Sequence, residues 1–171
     1  MDIITIGTTE LTPEGVRRRH DQSERWLRSI RSTVGYERLL REQARAHIEE
    51  ADGVKGIDYS KANVQASASA DALQFAAIAH METAEKLEAV ADSAARRIRK
   101  AYDAVGMLED AREAQALALY YLDVRSLSWD KVAEAMGYSL SRVYDFHYSG
   151  LINVWEHLPP EARDPVIQAD W

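Results

Sequence analysis

The sequence predicts an all-α fold. Ala, Glu, Arg and Leu, which favour helices, are abundant, and apolar residues return at helical spacing over long stretches. Segments that alternate apolar and polar residues, as strands do, are sparse. Hydrophobic residues make up 46% of the chain and charged residues 29%, which is an ordinary composition for a globular protein with a packed core.

Length and composition exclude several classes of protein. The 171 residues suffice for one large helical domain, or for a small terminal domain on a long helical arm, but not for two enzymes. Cysteine is absent, which excludes disulfides, thiolate metal sites and a cysteine nucleophile. Residues 1–9 lack the pattern of a signal peptide, and no apolar run approaches the length of a membrane span. We therefore expect a soluble cytoplasmic protein with no membrane partner.

The charge distribution counts against nucleic-acid binding. The net charge is −7, and residues 127–171 carry seven acidic against three basic side chains. Residues 1–50 balance nine against nine and include the run Arg17, Arg18, Arg19. Because phosphate contacts call for a basic surface, any such surface must draw on residues outside the C-terminal third.

The first half of the chain divides into a helical region, residues 1–51, and a linker, residues 52–70. Thr12 and Pro13 form a helix start, and apolar residues follow at helical spacing to Ile48. Gly35 offers a break, so one or two helices are expected. The linker contains two glycines and many small polar residues.

Residues 71–107 are predicted to form one long helical arm that ends at Gly106. Its apolar or small residues alternate steps of three and four, as in a coiled coil: Leu73, Ala77, Met81, Ala84, Leu87, Ala91, Ala94, Ile98, Ala101 and Val105. The stripe suits either a hairpin with the N-terminal helix or the seam of a homodimer.

A helix-turn-helix is predicted within a domain of residues 108–158. Asp110 and Glu113 resemble a capping box for its first helix. Ser128 then caps a short helix, Gly137 permits a left-handed turn, and Ser139 caps a second helix. The predicted motif core comprises Trp129, Val132, Ala133, Met136, Gly137, Tyr138, Val143 and Phe146. An ordinary helical hairpin is the alternative. Residues 159–171 form a tail too interrupted by proline for a helix.

Four stretches of this domain carry a family resemblance: Leu119 to Leu122, Leu127 to Ala133, Met136 to Ser139, and Val143-Tyr144. They resemble region four of primary sigma factors and, more closely, small phage and prophage regulators of late-operon type with a sigma-region-four-like C-terminus. His147 stands where that family has a histidine, and Tyr59-Ser60 and Val64 to Ser67 also fit. The resemblance covers roughly residues 55–155. Asp145 departs from it, because relatives usually have a basic residue there.

The resemblance implies that the second helix reads double-stranded promoter DNA. Helix geometry turns six side chains outward: Ser139, Ser141, Arg142, Tyr144, Asp145 and Tyr148. Arg142 suits a guanine edge or a phosphate, Asp145 a cytosine amino group, and the serines and tyrosines suit phosphates. Packing is the alternative for both tyrosines, and a core or capping role is favoured for His147. Further phosphate contacts are assigned to Lys131, Arg96, Arg97, Arg99 and Lys100, although a solvated face is the alternative for the last four.

No enzymatic site or cofactor is predicted. The histidines show no paired metal-ligand spacing and lie far apart in the sequence, at His20, His47, His80, His147 and His157. Phosphate-binding loops, dinucleotide fingerprints and a Ser-His-acid arrangement are not recognisable.

The function expected from these features is that of a phage-type transcription regulator acting on promoter DNA in the cytoplasm of a bacterial host. Two alternatives are kept. The first is an adaptor that docks on RNA polymerase or on another regulator, which the acidic C-terminal third favours. The second is a small terminase subunit recognising packaging DNA, a class that also joins a helix-turn-helix to oligomerising helices.

Overall fold

The computed structural model describes residues 4–6, 9–55 and 66–163, and almost all of them are helical. The helices are α1 Pro13–Lys55, α2 Ala66–Gly106, α3 Ala111–Leu117, α4 Trp129–Met136, α5 Leu140–Val154 and α6 Pro160–Arg163. A π-helical turn, Ala118–Leu122, extends α3, and a 3-10 turn, Trp155–His157, follows α5. The all-α prediction is confirmed.

Two short strands, which the sequence analysis did not predict, precede α1. Strand β1, Ile4–Ile6, pairs antiparallel with β2, Thr9–Leu11, with Ile4 opposite Leu11. Ile and Thr are β-branched and prefer extended backbone, which accounts for the pairing. At three residues each, the strands form a short two-stranded ladder.

The chain divides into two compact units. Unit 1 contains residues 1–34 and 96–171, and unit 2 contains residues 35–95. Both α1 and α2 contribute to each unit, so the spatial units differ from the linear segments expected from sequence. Helix α1 continues through Gly35, and helix occupies both ends of the predicted linker. Residues 56–65, with Tyr59, Ser60 and Val64 of the resemblance, lie outside the described residues.

The main core of unit 1 joins α1, α2, α3 and α5. It consists of large apolar side chains and closely approaching alanines: Leu27, Ile30, Val34, Ala101, Ala104, Val105, Leu117, Tyr121, Leu122, Leu151, Val154 and Leu158. Gly150 lets α5 approach α3, because a Cβ there would lie 3.2 Å from Glu113 Cβ and 3.3 Å from Leu117 Cδ1. A smaller cluster, Val132, Ala133 and Val143, joins α4 to α5.

Unit 2 is an antiparallel helix pair. Arg41 Nη2 of α1 lies 3.1 Å from Asp92 Oδ1 of α2, whereas His47, further along α1, contacts the earlier residue His80. The predicted stripe lies on the inner face of α2, where Ala77, Ala84 and Ala91 are buried. A single chain therefore covers these positions, as the hairpin alternative expects.

Two local predictions near the ends of the helices are wrong. Asp110 caps α3 by accepting from Arg112 N, but the Glu113 carboxylate accepts from Asn153 Nδ2 of α5 at 2.8 Å and does not complete a capping box. The tail also contains helix α6, because Pro160 stands at its first position, where the missing amide hydrogen costs no hydrogen bond.

Matched glycine substitutions test the close approach of α3 and α5. Ala at Gly35, where an added Cβ meets nothing within 4 Å, should raise the free energy of unfolding by about 0.5–1 kcal/mol through helix propensity. Ala at Gly150 should instead lower the free energy of unfolding by about 1 kcal/mol, because the crowding of its Cβ against Glu113 and Leu117 outweighs the gain in helix propensity. Urea unfolding followed by circular dichroism measures both, and equal stabilisation by the two substitutions would contradict the packing.

Candidate functional site

Helices α4 and α5 meet at a tight turn that is capped on both sides. The Ser128 hydroxyl accepts from Lys131 N at the start of α4, and Gly137 ends that helix with a left-handed φ of 70°. The amide of Tyr138 donates to Ala133 O at 3.2 Å, and Ser139 then caps α5 by accepting from Arg142 N at 3.3 Å. The turn chemistry predicted from the sequence is thus present at each of these positions.

The residues predicted to form the motif core differ in burial. Val132, Ala133, Val143 and Phe146 are buried, and Trp129 and Met136 are half-buried. Tyr138 is 43% exposed, so its assignment to the core is wrong. It directly follows the glycine of the turn, and its ring meets the Phe146 ring edge-on from outside, with centroids 5.2 Å apart.

An aromatic stack fixes α4 against the rest of unit 1. The rings of Tyr120 and Trp129 are nearly parallel, at 10°, with centroids 3.7 Å apart. The Arg31 guanidinium of α1 lies over the Tyr120 ring, 4.0 Å from its centroid. The stacked rings bury apolar surface, and the cation over a ring face adds a favourable electrostatic contact.

Arg31 also holds the loop that leads into α4. Its Nη2 donates to Ser126 O and to Leu127 O, each at 3.1 Å. Ser126 has a φ of 50°, a left-handed conformation that costs free energy in a residue other than glycine. Two hydrogen bonds from one guanidinium to this loop offset part of that cost, so α1 determines where α4 begins.

His147 links α5 to the π-helical turn. Its Nε2 and the Tyr121 hydroxyl share a hydrogen bond of 2.9 Å, and its ring lies against Trp129. Burial is the main cause that lowers the pKa of His147 to about 4, and burial also raises the pKa of Tyr121. Both groups are therefore neutral at pH 7, and His147 packs inside the site, as the sequence analysis favoured.

The outward face of α5 carries most of the predicted DNA-contacting residues. Ser141, Arg142, Tyr144, Asp145 and Tyr148 are exposed. Ser139 is exposed as well, but its hydroxyl is engaged as the helix cap. Tyr144 and Tyr148 are 44% and 51% exposed, and each also contacts one ring, Trp129 and His20 respectively.

The basic side chains close to the turn are engaged by carboxylates. Arg142 Nη1 lies 3.4 Å from Asp145 Oδ2, and Lys131 Nζ lies 2.6 Å from Glu134 Oε2. Arg125, in the preceding loop, binds Asp123 in the same way and lowers the pKa of that carboxyl to about 2. These pairs are exposed, so each is weakly held and open to exchange.

The basic run of α2, residues 96–100, belongs to unit 1, and part of it contacts α6. Arg96, Arg97, Arg99 and Lys100 are exposed. Lys100 Nζ donates to Glu161 Oε1 of α6 at 2.7 Å, and Arg97 and Lys100 line a shallow cavity with Trp26 and Glu161. Lys100 is therefore turned toward α6.

Sequence reasoning missed the contribution of α1 to this site. The His20 ring lies 5.0 Å from the Tyr148 ring, which places the exposed Arg17 and Arg18 one turn or less from a residue touching α5. His20 and Arg31 stand eleven residues apart, about three helical turns, and so share one helix face. That spacing was the available signal, although two polar side chains gave no indication of packing.

The acidity of the chain lies mostly outside the helices of unit 1. Residues 13–34 and 96–163 carry 15 Lys and Arg against 13 Asp and Glu, a formal charge of +2. Residues 35–95, which form unit 2, carry 6 against 11, a formal charge of −5. Unit 1 as a whole, with residues 1–12 and 164–171 included, carries 15 Lys and Arg against 17 Asp and Glu, a formal charge of −2, so most of the negative charge of the chain lies in unit 2.

Two further findings concern other kinds of site. Among the described residues, one group has metal-ligating atoms close together: His47, Glu50 and His80, all in unit 2. His47 and His80 lie far apart in the sequence, but the antiparallel pairing of α1 and α2 brings them together, which the spacing of the histidines did not indicate. In the described part of the chain, no helix has both the length and the apolarity to cross a membrane.

Burial of His147 predicts a stability that depends on pH. Its folded pKa is depressed, so the unfolded chain takes up a proton first as the pH falls from about 6.5 to about 4. The free energy of unfolding should therefore fall by about 2 kcal/mol between about pH 7.5 and pH 5 through this residue. Urea unfolding at both pH values should show a smaller fall for His147→Gln, whereas the exposed control His157→Gln should match the wild type. An unchanged fall in His147→Gln would contradict the assignment.

Comparison with protein-family models, with curated proteins and with solved structures found no match to this chain. The resemblance to sigma region four thus stands on the residues quoted for it.

Proposed function

We propose that this protein is a DNA-binding transcription regulator of the phage type, in which α4 and α5 act as a helix-turn-helix. The observation that carries the proposal is the outward face of α5. It begins directly after a capped, left-handed turn and presents polar and aromatic side chains to solvent while its inner face is buried. A helix held in this way can enter a major groove without unfolding its support.

Each exposed side chain of α5 has a proposed role. Arg142, in the first turn, is the residue suited to a guanine edge or a phosphate. Ser141, Tyr144 and Tyr148 carry hydroxyls suited to phosphate oxygens, and Asp145 suits a cytosine amino group. Ser139 contributes through its cap, which orients the amides of the helix start.

The charge is less unfavourable to DNA binding when the two units are considered separately. Unit 1 carries a formal charge of −2 and its residues 13–34 and 96–163 one of +2, against −5 for unit 2, and α1 carries Arg17 on the face on which His20 touches Tyr148. Cations at this edge can contact the backbone of a duplex whose groove holds α5. To bind DNA, Arg142 must give up its ion pair with Asp145. The free energy lost is small, because an exposed ion pair contributes at most about 1 kcal/mol to stability.

Selection of bound duplexes from a random DNA pool, followed by fluorescence anisotropy on the enriched sequence, tests this function. Arg142→Ala should weaken binding by about 1–3 kcal/mol and relax the sequence preference. Asp145→Asn should strengthen binding, because it removes a negative charge from a surface that faces phosphates, while the amide oxygen can still accept from a cytosine amino group. The affinity of the wild type should fall steeply between about 50 and 200 mM salt.

Arg38→Ala is the matched control. Arg38 is also an exposed helical arginine paired with a carboxylate, Glu42, but it lies in unit 2. Its removal should leave DNA affinity unchanged. The proposal fails if the folded wild type enriches no sequence, or if Arg38→Ala and Arg142→Ala weaken binding equally.

A second candidate function is that of an adaptor docking on RNA polymerase or on another regulator. The observation favouring it is the surface around the turn, where the cations of Lys131 and Arg142 are engaged by carboxylates. Large side chains are exposed beside them: Tyr138, Leu140, Tyr144 and Tyr148. Aromatic groups of this kind are enriched at protein interfaces, whereas a DNA-reading surface needs free cations.

Binding to bacterial RNA polymerase holoenzyme in nuclease-treated samples distinguishes the adaptor. We expect retention of polymerase by the wild type, and loss of retention in Tyr144→Ser, if the adaptor function holds. Phe75→Ser, an exposed aromatic residue of unit 2, is the control. Salt-dependent DNA binding without retention of polymerase would exclude an adaptor that docks on RNA polymerase.

A further inference from the structure

We infer that His47, Glu50 and His80 form a binding site for a zinc-type divalent metal ion, independent of the function proposed for α4 and α5. His47 and Glu50 stand three residues apart on α1, so they share a helix face, and His80 lies on α2 opposite them. All three belong to unit 2. Two imidazoles and one carboxylate are a ligand set that zinc takes in proteins.

The three ligand atoms have the separations that a metal requires. His47 Nδ1 lies 3.0 Å from His80 Nδ1, and Glu50 Oε2 lies 3.1 Å from His80 Nδ1 and 3.5 Å from His47 Nδ1. Ligand atoms about 2.0–2.1 Å from a tetrahedral zinc ion lie about 3.3–3.4 Å from each other. The observed triangle brackets this value, so one ion can contact all three atoms.

Hydrogen bonding alone does not satisfy this triangle. A neutral imidazole nitrogen either donates or accepts, and an ionised carboxylate oxygen only accepts. If His47 Nδ1 donates to His80 Nδ1, the latter faces Glu50 Oε2 as a second acceptor at 3.1 Å. If His80 Nδ1 donates, its single proton serves two acceptors, which then face each other. If both nitrogens donate to Glu50 Oε2, two donors face each other 3.0 Å apart. A cation at the centre resolves the conflict, because each of the three atoms offers it a lone pair.

The surroundings permit entry of an ion and define its class. The side chains of His47 and His80 are each 33% exposed and that of Glu50 is 58% exposed, so water can complete the coordination. Mg²⁺ and Ca²⁺ prefer oxygen ligands, whereas zinc and its neighbours in the first transition row bind imidazole nitrogen well. Bound there, the ion would cross-link α1 to α2 and so stabilise the helix pair of unit 2.

Titration of the full-length chain with ZnCl₂ by isothermal calorimetry, in a buffer that does not chelate, tests the site. We expect one ion per chain, with affinity at least about 100-fold weaker in His47→Ala and in His80→Ala and at least about 10-fold weaker in Glu50→Gln. The exposed His157→Ala should bind like the wild type. Co²⁺ should give the intense visible absorption of a four-coordinate site.

Imidazole resonances of the unsubstituted protein provide a readout that does not depend on the folding of any variant. On addition of ZnCl₂, the ring signals of His47 and His80 should shift together and saturate at one equivalent, while that of His157 stays in place. Zinc should also raise Tm, because it binds the folded helix pair. The site is overturned if the folded wild type binds no zinc, if His80→Ala binds as tightly as the wild type, or if other histidines shift first.

Discussion

The stack of Arg31 on Tyr120 and of Tyr120 on Trp129 is the interaction on which the arrangement of the C-terminal helices depends. Helix α4 has eight residues, too few to be stable alone, and its small cluster with α5 buries little apolar surface. The stack connects this cluster to α1, and the same guanidinium holds the two carbonyls before α4. Lysine, with its point charge, would not provide both contacts.

The π-helical turn distributes side chains between the two cores of unit 1. Tyr121 and Leu122 enter the main core, Leu119 packs on the cluster of α4 and α5, and Tyr120 packs against both. A regular α-helix places residues four apart on one face, and the wider π turn changes that register. Tyr120 consequently lies between the two cores, and the hydrogen bond of Tyr121 to His147 connects the π-helical turn to α5.

Features that depend on neighbouring residues could be predicted from the sequence, whereas features that depend on residues distant along the chain could not. Ser128, Gly137 and Ser139 were predictable because capping and left-handed turns depend on neighbouring backbone groups. Tyr138 was misassigned because periodicity cannot distinguish a ring that enters a core from one that covers it. Arg31 and the meeting of His47 with His80 depend on residues 33 or more positions away, and local patterns contain no information about them. Gly150 belongs to the same class, since its constraint comes from α3.

The discontinuity of unit 1 has a kinetic consequence. Its first segment, residues 13–34, shares a core with residues after 96, so the 61 residues between them form a loop that must close before this core can be completed. Closing so long a flexible loop is entropically unfavourable, but a loop already folded into an antiparallel helix pair has far less freedom to lose. Formation of unit 2 would thus act as a nucleus that brings the ends of the chain together, and α4 and α5 would gain their Arg31 anchor late.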